Sequence, residues 1–171
     1  MSGAQPKFSP EDTQPLSVLP IAPAGSAAHA LWFAVQTRPW SSLAVLPAGP
    51  GESALGVANA LYDVGALVSG GPMRLLDARA VTLSSSASFI VNMSSLVSSP
   101  GERRQGGAQR AVVVLASVID QLAGVPIVLS ADAVVLTVVL GKTTLDAARR
   151  TVELVGGPDR VLGCILVPPE A

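Results

Sequence analysis

Two stretches of the chain are nearly free of polar residues: RAVVVLA at 110–116 and AVVLTVVL at 133–140. Continuous β-branched runs of this kind suit interior strands of a parallel sheet covered on both faces. Shorter apolar runs at 41–47 (containing SLAVLP), 73–79 (MRLLDAR) and 160–167 (RVLGCILV) predict three further strands. Between these runs the period changes. Leu55, Ala58, Leu61 and Val64 recur at helical spacing within 53–67, and Leu145, Ala148, Val152 and Val155 form one stripe after Gly141. Thr143 followed by Asp146 has the spacing of a capping box, and Asp146/Arg150 and Arg149/Glu153 are spaced for exposed ion pairs. Gly156-Gly157-Pro158 ends that helix.

Other parts of the pattern are less regular. Residues 30–35 fit a short helix or a strand, and the serine-rich stretch 80–109 predicts a strand at 88–93 and a loop at 98–107. Ahead of Ala28, Pro6, Pro10, Pro15, Pro20 and Pro23 stand among small residues with little apolar period, which predicts a flexible tail over 1–27 and a single domain over 28–171. Strands alternating with helices predict an α/β fold, a doubly wound, mostly parallel sheet flanked by helices in three Rossmann-like layers.

Composition narrows the function classes. The 171 residues are 49% hydrophobic and 13% charged with a formal net charge of -1, so no basic field offers itself to nucleic acid or an anionic membrane. One cysteine, Cys164, and one histidine, His29, leave no internal disulfide and no Cys/His metal cluster. The start lacks a secretory pattern, and Asp120, Asp132 and Lys142 interrupt the apolar runs before any reaches membrane-spanning length, which predicts a soluble intracellular protein. Cys164, inside an apolar strand, is expected to be an inert buried thiol. Trp32 and Trp40, with His29, are expected to pack as core beside the first strand, and Asp120 and Asp132 to be solvated strand ends. The cluster Ser84, Ser85, Ser86 and Ser88 reads as a polar loop.

The candidate chemistry lies in two strand-to-helix turns. Gly141-Lys142-Thr143-Thr144 has the ending of a phosphate-binding loop, but such a loop needs glycine five residues before the Gly-Lys pair, and Leu136 stands there. The apolar run leading into the turn favours an extended strand, so these residues read as a strand-to-helix turn. The second, LPAGPGESALGVANAL at 46–61, is a glycine-rich loop opening a helix, with Gly49 and Gly51 suited to close approach at a positive helix end. It has no lysine, the chain's two lysines being Lys7 and Lys142.

The order of these pieces resembles the deviant-Walker P-loop ATPases of the MinD/ParA superfamily, and most closely the cytoplasmic domain of the bacterial tyrosine kinases of polysaccharide export. Pro50-Gly51-Glu52 matches that family's loop, yet Ser53-Ala54-Leu55-Gly56 stands where Gly-Lys-Ser/Thr is expected, and Val57-Ala58-Asn59-Ala60-Leu61 matches its following helix. Leu75-Leu76-Asp77-Ala78-Arg79 is similar to its second Walker motif, with Asp77 at the first acid and Arg79 at the second. Residues 112–116 resemble the Walker B strand, with Leu115 or Ala116 in place of the acid, and 130–167 resemble its C-terminal part. The resemblance implies a P-loop NTPase-like fold and a degenerate nucleotide site of Gly49, Gly51, Glu52 and Ser53 with Asp77 and Arg79.

Without a lysine and an acid for Mg²⁺, phosphoryl transfer loses the groups on which it depends, so no catalytic residue and no cofactor or metal are expected. The implied protein is a non-catalytic pseudo-ATPase or pseudokinase that binds a partner, a catalytic paralogue or a polysaccharide synthase or export component. The setting is exopolysaccharide, capsule or cellulose biosynthesis, in the cytoplasm, with the membrane reached through the partner alone. A homo- or heterodimer is expected, since MinD-like folds pair across the nucleotide face. Two alternatives keep a ligand: an ATPase with an unconventional site, drawing its positive charge from Arg79 or from a partner's lysine, and a ligand-sensing regulator.

Overall fold

The computed structural model describes residues 24–97 and 109–169. Five strands form one sheet: β1 (Ser42–Pro47), β2 (Met73–Asp77), β3 (Arg110–Val114), β4 (Ala133–Val139) and β5 (Val161–Val167). Their order is β2-β3-β1-β4-β5, and every neighbouring pair is parallel. The three strands with the most continuous apolar sequence take the centre: β1 is buried at all six positions, β3 at four of five and β4 at five of seven. Parallel central strands demand cover on both faces, and the side chains divide accordingly.

One face belongs to α1 (Ala24–Ala34) and α2 (Leu55–Val68). Leu43, Val45, Val112, Val114 and Val135 point to it and pack against Trp32, Trp40, Ala58, Leu61 and Val64. The other face carries α3 (Leu83–Leu96), α4 (Val125–Ser130) and α5 (Leu145–Leu154). There Leu46, Val113, Leu115 and Leu136 meet Met93, Ile127, Val128 and Val155. Of the three residues expected in the core, His29 is exposed and the two tryptophans are buried: Trp32 and Trp40 sit edge to face at 5.8 Å, and the Trp40 indole N–H donates to the Val35 carbonyl at 2.9 Å. The Arg110 guanidinium lies 5.0 Å over the Trp40 ring, and burial lowers its pKa.

At the N-terminal end of the sheet Asp132 is a fastener rather than a solvated strand end. Its Oδ2 accepts from the backbone N–H groups of Ser41 (2.8 Å) and Ser42 (2.9 Å) and from the Ser42 hydroxyl (3.0 Å), tying the start of β4 to the start of β1.

The expected sheet and strand positions hold, and several finer expectations do not. Residues 88–93 lie in α3, not a strand: Thr82 and Ser85 form a capping box, and Phe89, Ile90 and Met93 turn one face to the sheet. The serines 84–88 are therefore helical, with Ser86 buried. The cap of α5 is Thr144, whose hydroxyl accepts from the Ala147 N–H at 3.2 Å, because Thr143 is engaged elsewhere. Leu145 is 66% exposed and leaves the stripe, and Arg149 pairs with Asp146 at 4.0 Å. The first helix starts at Ala24, inside the stretch read as tail; the rest of that stretch and the loop expected at 98–107 lie outside the described residues. Helix α4, capped at its C-terminal carbonyls of Val128 and Ala131 by the Arg160 guanidinium, had no counterpart in the sequence reading. Cys164 is exposed, since β5 is an edge strand, although neighbouring groups crowd the thiol enough to push its pKa up.

Candidate functional site: a strapped loop at the carboxyl ends of the strands

The chain leaves β1 for α2 on one face and leaves β3 for α4 on the other. The two adjacent strands thus feed opposite faces, and open α/β sheets place their ligands at the carboxyl ends of strands at such a point. The loop 48–54 lies there. Gly51 has φ +64°, a conformation glycine adopts at little cost, and it lets the chain turn sharply before α2. The first turn of α2 has little side-chain capping, with Ser53 Oγ 3.3 Å from the Leu55 N–H.

Residues distant in sequence close on this loop. The Gly51 N–H donates to the Asp120 carboxylate, in the segment after β3, at 2.7 Å. Lys142 in the β4–α5 turn donates from Nζ to the Gly51 carbonyl at 2.9 Å. Thr143 donates its hydroxyl to the Glu52 carboxylate, 2.7 and 2.8 Å from the two oxygens, and accepts from the Val139 N–H at 2.8 Å. Glu52 folds inward: a Cβ on Gly49 would stand 2.5 Å from its Oε1, so glycine at 49 is what gives the carboxylate its place. Below, the Thr151 hydroxyl donates to the Ala48 carbonyl at 2.9 Å, and fully buried Thr137, in register with Pro47, has no partner for its hydroxyl.

Asp77 and Arg79, at the end of β2, form a pair of their own. The guanidinium grips the carboxylate with Nε at 2.9 Å and a terminal nitrogen at 2.7 Å, and the Arg79 backbone N–H adds a third bond at 3.0 Å. The side-chain bond from Arg79 holds the Asp77 carboxyl below its usual range, and the same bond raises the Arg79 pKa. The structure thus brings Gly49, Gly51 and Glu52 together with Lys142, Thr143 and Asp120, and it couples Asp77 to Arg79. Ser53 accepts from the Leu55 N–H, within its own turn. Lys142 and Thr143 were missed as neighbours of the glycine-rich loop; the signal available was a threonine-rich turn at the carboxyl end of an interior strand, which topology sends to the same rim. Among the described residues no group of three or more His, Cys, Asp and Glu side chains is placed to hold a metal ion, and no helix is long and apolar enough to cross a membrane.

This architecture defines a class: an α/β protein with an all-parallel, doubly wound sheet of the P-loop NTPase-like type. Several solved structures share it, two of them as follows. The kinase domain of the Escherichia coli tyrosine kinase ETK superposes with a TM-score of 0.58 at 15% identity, over 86% of this chain and 77% of that one. The chimerical protein CapA2B2 superposes with a TM-score of 0.54 at 13% identity, over 82% of each chain. Neither a family model nor a curated protein matches the sequence. At these identities the likeness is one of fold, and it agrees with the resemblance to bacterial tyrosine kinases read from the residues.

Proposed function

We propose that this chain is a pseudo-ATPase: a P-loop-like module that binds a protein partner and turns over no nucleotide. The observation that carries the reading is the content of the β1–α2 loop. It has no lysine of its own, one of its backbone N–H groups is taken by Asp120, and the Glu52 carboxylate stands over Gly49. A triphosphate entering there would meet two carboxylates, and like charges at a few ångströms oppose binding. Asp77, the candidate for holding Mg²⁺, is neutralised by Arg79. The setting that fits is the cytoplasmic side of capsule, exopolysaccharide or cellulose biosynthesis, with a catalytic paralogue or a synthase or export component as partner and the membrane reached through it.

A second reading rests on Lys142. Its ammonium lies against the loop although it comes from a different turn, so an ATPase with an unconventional site has a cation at hand. Calorimetric titration of the protein with ATP and ADP in Mg²⁺ separates the two. The pseudo-ATPase expects no heat of binding up to millimolar nucleotide. Mg²⁺-dependent binding that Lys142→Ala abolishes would replace it with the second reading.

A further inference from the structure

The sheet ends on two very different edges. β2 is short and carries exposed charge at Arg74 and Asp77, a common protection against pairing with another chain. β5 has seven residues, VLGCILV, with no charge and no proline until Pro168. The Val167 carbonyl accepts from the Leu140 N–H at 2.9 Å, so Val167, Ile165 and Gly163 turn their backbone groups toward β4, and Cys164 and Leu166 turn theirs outward. Among the described residues no strand pairs with that outer edge. Gly163 and Cys164 are exposed and Leu166 is 50% exposed, so apolar surface continues up to the unpaired backbone.

We propose that β5 pairs antiparallel with β5 of a second copy, about a two-fold axis at Cys164, joining two five-stranded sheets into one of ten. The occupant is argued from the strand itself, whose sequence reads nearly the same in both directions. Centred on Cys164, the pairing sets Val161 against Val167 of the second copy and Gly163 against Ile165, a gap against a branched side chain. Cys164 meets its own counterpart as a hydrogen-bonded pair, for which Cα atoms stand about 5.5 Å apart, within disulfide reach. The absence of charge means that no like-charge repulsion opposes the symmetric contact. The bulge where Val134 and Val135 pair with Val161 and Gly163 ends at the strand's start, and from Gly163 to Val167 the register with β4 is regular.

The test uses the full chain in solution. At micromolar concentration light scattering should give twice 17.3 kDa, and mild oxidation should convert the dimer to a covalent one through Cys164. Leu166→Pro removes only an outward N–H and should give a monomer with unchanged circular dichroism; Leu166→Lys, which leaves every backbone group in place, should do the same. A wild-type chain that stays monomeric overturns the proposal. So does a dimer that oxidation does not join at Cys164, or one that survives both Leu166 substitutions with the fold intact.

Discussion

Glu52 shows how a single side chain sets the character of the site. Its carboxylate stays inside the loop because Thr143 donates to it and Gly49 leaves it room. Thr143→Val removes that donor and also the acceptor of the Val139 N–H, and it should cost about 1–3 kcal/mol with faster hydrogen exchange at Gly51 and Glu52, while Thr143→Ser should restore both. The Asp77–Arg79 pair gives a second expectation. The folded pKa of Asp77 is lowered, so its contribution to stability is present above the unfolded carboxylate value and is lost as pH falls through the folded one. In Arg79→Ala the Asp77 carboxyl should titrate at a higher pH, nearer its ordinary range, as followed by NMR, and the acid limb of the stability curve should flatten by the share that Asp77 contributes. The glycine loop and its lack of lysine were legible in the sequence. The straps were not, since Glu52 and Thr143 are 91 residues apart and local pattern carries no information about such a meeting. The same limit explains Cys164: an apolar strand reads as buried, and only strand order reveals it as an edge.

Among the elements, those with strong period were read correctly and those shaped by tertiary contact were not. β1 and β4 announce themselves because both faces are covered and all positions but Ser42 and Thr137 are apolar. Helix α3 is serine-rich, and its apolar residues are split between the core (Phe89, Ile90, Met93) and solvent (Leu83, Val91), so short windows of it imitate a strand. Helix α4, six residues including Pro126, is too brief to show a period and owes its place to Ile127 and Val128 in the core. The packing of α1 on α2 turns on one glycine. A Cβ at Gly65 would lie 2.5 Å from the Trp32 ring and 2.8 Å from the Met73 methyl, and Trp32 is buried. Gly65→Ala should therefore destabilise the protein by about 1–3 kcal/mol despite the better helix propensity of alanine, with thermal unfolding as the measurement. A rise in melting temperature would mean that α1 shifts freely on α2.

At the scale of the molecule the sheet separates two apolar clusters, one under α1 and α2 and one under α3, α4 and α5. The three-layer plan was readable because strands and helices alternate along the chain. The strand order was not, since nothing local tells β2 to pass over the position of β3. A fragment ending at Val97 contains β1 and β2, which are not neighbours, so it should show no sheet by circular dichroism and should gain it only when the chain extends through β3. Stable sheet in that fragment would require a pairing absent from the native order.

That order also has a history in time. β1, the middle of the finished sheet, is synthesised before both of its partners: β3 begins at Arg110 and β4 at Ala133. At translation speeds of roughly 5–20 residues per second, a strand buried at every position in the folded protein waits on the order of ten seconds with both edges bare. The nascent chain is thus at its most adhesive well before it can close on itself, and recovery of native protein should depend more on what shields that interval than on the stability of the folded state.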